Sequence, residues 1–350
     1  MIKKQQILVL DIGNGRTKGI GGNRYRCDYP SHVLPYTKGS LAESFGAKPF
    51  KCSLGHFIVG DQCVKGKIAT KSTDSSFYES DVFRICLLKA VKDSGVKTPY
   101  LVTGLPKEHY DRLHTGLEAN IRKWCKSEGM SLPGIVIMKQ QLALFFDPMI
   151  EDQDGNKIPS KILLNGKVGL LDGGYGTTDL GTIIDGIPNE DKEWGESTGV
   201  SDIHKKLFAA LSNPAANQIK KSLLPTKFEL SPDINEYTMD TWIRQGHIVY
   251  CGEKILLKPI LSTIVDKFVA DVLSRGIKSA WGNTKFMTGV INAGGLANIT
   301  PRDLLEKYIE CPIWTPSEPE MSVVRGYYEY AVAKLTKSKT LAPCELAVNG

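Results

Sequence analysis

The chain has 350 residues, more than one compact core normally holds and enough for two domains of ordinary size. Hydrophobic residues make up 41% and charged residues 23%, an ordinary globular balance that excludes large-scale disorder. The net charge of +6 is scattered, with no block of five like charges, so a mildly basic solvated surface is expected rather than a polyanion-binding tail.

None of the eight cysteines sits in a CxxC pair, which removes the spacing of a structural zinc site. The opening MIKKQQILVLDIG lacks the apolar stretch and cleavage site of a signal peptide. No segment approaches the roughly 18 apolar residues of a membrane span. Free thiols in a reducing cytoplasm, with no membrane partner, are expected.

In chain order, the apolar run Ile7 to Leu10 is a strand that stops at Asp11 and a glycine turn, and KGIGG turns the chain toward RYRCDYPSHV, giving a hairpin. HFIVGDQ (56–62) is a short strand and turn. Residues 79–93 place Val82, Ile85, Leu88 and Val91 at helical spacing, with acids first and lysines last, as the helix dipole favours. TPYLVTGLP (98–106) and GIVIMK (134–139) are strands, and QQLALFFDPM starts a helix closed by Pro148. The polar stretch 151–166 is the candidate crossing between two lobes.

KVGLLDGGYGTTDLGTIID (167–185) then repeats the plan of residues 5–22: apolar strand, aspartate, glycine turn, second strand. The echo, about 160 residues on, implies two similar half-structures. Residues 200–213 and 256–280 are expected helices, with a less regular insertion between them. TGVINAGGLANIT (288–300) is a strand whose Gly-Gly turn leads into a helix at 301–309, and 322–335 is a last helix before a loosely ordered end.

The chemistry concentrates in the repeated loops. In DIGNGRTKG (11–19), glycines let backbone N–H groups approach a phosphate, Thr17 offers a hydroxyl and Lys18 a positive charge. Asp11 repels phosphate and needs an intervening cation, for which a water-bridged Mg²⁺ is the natural choice. DGGYGTTDL (172–180) has the same design, led by Asp172. A glycine turn after a buried strand would explain either loop alone. The pair suggests a polyphosphate clamped from both sides. Neither loop matches GxxxxGK[ST] or opens a long helix, so a P-loop and a dinucleotide fingerprint are excluded. In INAGGLANI (291–299), Gly294 and Gly295 offer a flat platform for a base or ribose, or simply a helix-entry turn.

Two acid-led hairpin loops and a late strand–Gly-Gly turn resemble the phosphate and adenosine motifs of the actin, sugar-kinase and Hsp-type chaperone superfamily. DIGNGRTK has the acid, glycines and lysine at the spacing of actin's first loop. With LVTGLP (101–106), VGDQ (59–62), GVSDIHKKL (199–207) and NAGGLANI, the chain looks like the ParM/StbA group of plasmid-segregation actins over about residues 5–335.

The resemblance implies an α/β, actin-like (ribonuclease H-like) duplicated two-lobe fold with a nucleotide cleft between the lobes. Lobe I would span 1–160 with an insertion at about 30–75, completed by a C-terminal helix at about 316–340. Lobe II would span 161–315 with an insertion at about 205–285. ATP or ADP would bind with Mg²⁺. Asp11 would hold the metal's water shell, Gly13, Asn14, Gly15, Arg16, Thr17 and Lys18 the β-phosphate, and Gly173, Gly174, Tyr175, Gly176, Thr177 and Thr178 the γ-phosphate. Asp172 would orient the attacking water or the metal's waters. Gln140, with Gln141 in reserve, would position the water, its +3 spacing to Ala143 matching the family's small residue. Asp202, Lys205, Gly294, Gly295, Leu296 and Asn298 would hold the nucleoside. DIHKKL departs from actin's DIKEKL at His204 and Lys205, which leaves GTP open as a second nucleotide, and Arg16 and Thr17 replace small or apolar residues of relatives.

The implied function is a filament-forming ATPase that moves plasmid DNA through a ParR-like DNA-binding adaptor, with copies of itself as filament partners and centromere DNA reached indirectly. A small-molecule kinase of the superfamily and a non-hydrolysing nucleotide-sensing scaffold are the alternatives. Against the first stand the short chain and the lack of a DPG- or DQG-like loop in the first lobe. Asp172 and Gln140 weigh against the second.

Overall fold

The structure is a computed structural model and describes residues 3–38, 48–64, 75–214, 223–225, 227–232, 234 and 236–336. The expected loose C-terminal end, Cys344, and parts of both expected insertions lie outside the described residues.

Two mixed sheets repeat one plan. The first orders its strands Arg26–Pro30, Arg16–Gly21, Ile7–Ile12, Tyr100–Leu105 and Gly134–Lys139. Ile7–Ile12 pairs antiparallel with its hairpin partner and parallel with Tyr100–Leu105. The second sheet places Thr178–Ile184, Lys167–Gly173, Gly289–Ala293 and Ile313–Pro316 in the same relation, again one antiparallel hairpin followed by parallel neighbours. Parallel strands are buried on both faces, which is why their segments read as unbroken apolar runs rather than alternating ones.

The first strand shows the consequence. Leu8, Leu10 and Ile12 face the core of the first lobe, packed under the helix Asp81–Asp93. Ile7 and Val9 face the other way, into a shared core with Val168, Leu170 and Ile291 of the second sheet. That middle core joins the two halves beneath their strand ends. Val200, Leu207, Ile260 and Phe268 belong to a third cluster, on the outer side of the second sheet.

The helix Asp81–Asp93 starts where expected, because Ser80 accepts the Phe83 N–H as its N-cap. Three expectations need revising. The segment from Gln140 is one helical turn, Gln140–Ala143, and a 3₁₀ turn, Leu144–Phe146, ending where Asp147 takes two bonds from Arg325 at 2.8 and 2.7 Å. The helix expected over 301–309 shrinks to Arg302–Leu305, preceded by a 3₁₀ turn at Gly295–Asn298. The crossing at 151–166 is not all turn: it contains the short helix Ser160–Leu164.

Lys107–Ser127, 21 residues long, lies where the pattern raised no expectation; its apolar stripe of Leu113, Leu117 and Ile121 is interleaved with charged residues. The helix expected over 256–280 starts at Lys258, because Leu256 ends a strand, and runs to Ala280 through a π-turn at Val269–Leu273. Helix Glu236–Gln245 and the hairpin His247–Tyr250/Glu253–Leu256 stand in the less regular region between helices.

The C-terminal helix Ser322–Thr336 returns to pack against the first strand and the Gln140–Ala143 turn. Its approach depends on Gly326, where an added Cβ would lie 1.8 Å from the Ala143 carbonyl oxygen. Gly326→Ala is therefore expected to lower stability by about 1–3 kcal/mol despite alanine's better helix propensity. A urea unfolding midpoint that falls at constant slope checks this.

Candidate functional site

Each hairpin ends in a turn closed by the same bond. Gly13 N–H donates to the Arg16 carbonyl at 3.0 Å, and Gly174 N–H to the Thr177 carbonyl at 2.8 Å. In both loops the acid stands two residues before the bonding glycine, at the end of a strand buried on both faces. The two strand ends face one cavity of about 450 Å³, a size that suits a small-molecule ligand.

Asp11 and Asp172 both line this cavity and both are buried. Gln140 Nε2 donates to Asp11 Oδ1 at 2.9 Å, and Lys18 Nζ stands 3.4 Å from Asp11 Oδ2. Burial, then the neighbouring Asp11 carboxylate, pushes Asp172 up to about 7, with Lys18 opposing. Asp179 pairs directly across from Asp172 in the hairpin. Burial and then the Asp172 charge push it up to about 8, against the Thr177 hydroxyl and the Lys107 N–H.

Twelve of the nucleotide-binding residues expected from sequence line the cavity. They are Gly13, Asn14, Gly15, Arg16 and Lys18 on the first loop, Gly174, Tyr175, Gly176 and Thr177 on the second, and Gly294, Gly295 and Asn298 on the third. Asn14 Oδ1 is buried without a hydrogen-bond partner and is left as an acceptor for a ligand. The Tyr175 ring lies against Gly15 of the opposite loop. Gly294 has φ +81°, and a Cβ there would meet the Gly173 carbonyl and Asp172 Oδ1, so the third turn can touch the second only as glycine.

Six expected residues are placed elsewhere. Thr17 is buried beneath its loop, its hydroxyl 2.9 Å from that of Ser31, which in turn donates to the Gly13 carbonyl. Thr178 donates to the Thr198 carbonyl at 2.7 Å. Gly173 and Leu296 pack on each other below the surface. Asp202 accepts the Gly199 N–H at the start of helix Val200–Ser212, and the exposed Lys205 pairs with it at 3.6 Å. That helix presents Val200 and His204, four residues apart, to the cavity instead. Gln141 is fully buried and does not line the cavity.

The cavity also takes in residues that the sequence did not point to: Tyr78, Asp240, Ile243, Arg244, Ile299 and Glu320. His204 stacks edge-on to Tyr175 at 5.6 Å, and Asp240 bonds Arg244 at 3.0 Å. Asn298 donates to Glu320 at 2.9 Å. The helical spacing of Val200 and His204 could have revealed His204, and the second acid of DGGYGTTD could have revealed Asp179. Tyr78, Arg244 and Glu320 come from distant segments and carry no local signal.

Residues 10–131 match the family model of the N-terminal domain of actin-like proteins. Among solved structures, a non-polymerisable quadruple mutant of pCBH ParM superposes with a TM-score of 0.68 at 18% identity, over 93% of this chain and 98% of that one. This chain has the actin-like fold.

A 15-stranded ParM filament from Clostridium botulinum is similar to this actin-like chain at TM-score 0.66 and 18% identity, covering 93% and 99% of the two chains. The ADP complex of Ta0583, an archaeal actin homologue, matches at 0.64 and 18%, over 92% and 98%. No curated protein matches by sequence.

The actin-like cleft suits a hydrated cation. The carboxylates of Asp11 and Asp172 and the amide oxygen of Gln140 are oxygen ligands, and a cation would offset the burial and the Asp11 repulsion that lift Asp172. Among the described residues no three His, Cys, Asp or Glu form a metal-sized group, so a bound cation would keep much of its water, as Mg²⁺ does.

The raised acids also set a pH dependence. An acid whose folded pKa exceeds its unfolded one binds more protons when folded, so stability is lost as pH rises through the folded pKa. The ligand-free protein should melt several degrees lower at pH 8.5 than at pH 6.5. Asp172→Asn should shrink that difference, as followed by circular dichroism.

Proposed function

We propose that this chain is a filament-forming ATPase that drives plasmid DNA segregation through a ParR-like DNA-binding adaptor. The observation that carries this reading is the pair of acid-led hairpin loops across one cleft, with Gln140 bonded to Asp11. The backbone of Asn14 to Lys18 and the Lys18 ammonium hold the β-phosphate. Gly174 to Thr177 surround the γ-phosphate from the other lobe. Val200, Ile243 and Ile299 provide an apolar wall for the base, beside the Gly294–Gly295 platform.

Mg²⁺, when bound, would neutralise phosphate charge, and Asp11 and Asp172 would hold its waters. The Gln140 amide oxygen orients the attacking water but takes no proton at neutral pH, so turnover is slow. Asp172, lifted towards neutrality by its burial and then by Asp11, faces the same cavity and would orient that water.

Self-assembly draws support from the ParM and Alp12 filaments among the similar structures. A head-to-tail contact that does not close produces an open filament, which a cleft-centred nucleotide can favour or weaken. Among the described residues no helix is long and apolar enough to cross a membrane, and the seven described cysteines are free thiols, in keeping with a cytoplasmic site of action.

Pelleting with ATP, GTP, ADP or no nucleotide, alongside phosphate release, tests this reading. Polymer is expected with triphosphate, and Asp172→Ala should abolish phosphate release while leaving assembly largely intact. Absence of polymer with every nucleotide, or turnover by Asp172→Ala at the wild-type rate, would overturn it.

A further inference from the structure

Lys139 ends the last strand of the first sheet and stands directly before Gln140. Its ammonium meets the Glu193 carboxylate at 2.7 Å, with side chains only 11% and 3% exposed. Glu193 belongs to the other lobe. It directly precedes Trp194, which pairs with Leu180 in the hairpin of the second glycine loop. Its turn is pinned to the same hairpin, since Thr182 donates to the Lys192 carbonyl at 3.0 Å and accepts the Asn189 N–H on its own carbonyl at 2.9 Å. Glu193 therefore moves with the strand that leaves Thr177.

Two more bonds cross between the lobes nearby. Lys107 N–H donates to Asp179 Oδ1 at 3.0 Å, and Ser197 Oγ to Glu108 Oε2 at 2.7 Å. Burial works to lower the Lys139 pKa, and the hydrogen bond and charge of Glu193 outweigh it. An ion pair this buried gains little stability over apolar residues of the same size, so its value lies in the geometry it imposes.

We propose that Lys139 and Glu193 form an interlobe strut that positions Gln140 against both halves of the cleft. The proposal rests on the reading of Gln140 as the residue that orients water. The Gln140 side chain is held to Asp11 of the first lobe, while its backbone is tied through Lys139 to the hairpin of Asp172. Both are positioning residues. Misplacement of an orienting group by about 1 Å costs up to about 100-fold in rate.

Replacing one partner would strand a buried charge, so the test removes both, Lys139→Met with Glu193→Leu, and separately swaps them, Lys139→Glu with Glu193→Lys. Melting curves establish that each full-length variant is folded. Phosphate release and fluorescent ATP binding are measured with Mg²⁺. The apolar double variant is expected to lose roughly tenfold or more in kcat with KM and nucleotide Kd within about twofold of wild type. The swapped pair should recover part of the loss. On a Gln140→Ala background the apolar double variant should cost nothing further, because the strut acts through that residue. Wild-type turnover by the apolar variant, or an undiminished loss on the Gln140→Ala background, overturns the strut alone. A wild-type chain that binds ATP but releases no phosphate overturns the strut together with the ATPase reading.

Discussion

Two carboxylates that would repel each other in the open are held buried on one cavity, and the fold is organised around keeping them there. Asp11 and Asp172 each end a strand whose two faces are covered by core, so neither can swing out to water without breaking its hairpin. Lys18 and Gln140 serve Asp11 directly. Among the described residues Asp172 has no such partner, and burial with the Asp11 charge raises it toward neutrality. A site in this condition favours a cation and the polyanion that comes with it.

The middle core makes this arrangement possible. Ile7 and Val9 from one sheet and Val168 and Leu170 from the other pack into a single cluster, so the two strand ends are set by common apolar contacts rather than by loops. The C-terminal helix closes this core over Ala143, with Gly326 allowing the approach. Polar links then add direction. The Lys139–Glu193 pair, the Asp179–Lys107 bond and the Ser197–Glu108 bond all cross between halves beside Gln140, so a change in the cleft can alter how the lobes sit on each other.

The cavity has two chemically different ends. Around Asp11 and Asp172 it is lined by backbone turns, charge and amide. Around Val200, Ile243 and Ile299 it is apolar, edged by Arg244, Asp240 and Glu320. That polarity gradient fits a ligand with a charged tail and a flat aromatic head. His204, fully buried and edge-on to Tyr175, joins the two ends where the second loop meets the helix Val200–Ser212.

The repeated hairpins and their acids were legible in the sequence because they are local. An apolar run, an aspartate and a glycine turn determine a strand end and its loop wherever the chain places them, and repetition about 160 residues apart implied two halves. The helix Lys107–Ser127 was legible too, since Leu113, Leu117 and Ile121 recur at four-residue spacing with charged residues on the opposite face, although it raised no expectation. Which loop residues face the cavity was decided only by tertiary structure. Thr17 and Thr178 have the right chemistry, but strand alternation turns both inward to Ser31 and Thr198. Helical spacing turns Asp202 and the exposed Lys205 away from the cavity, leaving His204 on the cleft. The tuning of Asp172 and Asp179 and the link between Lys139 and Glu193 arise between residues far apart in the chain. Electrostatic coupling depends on distance through the folded protein, and no local pattern encodes it.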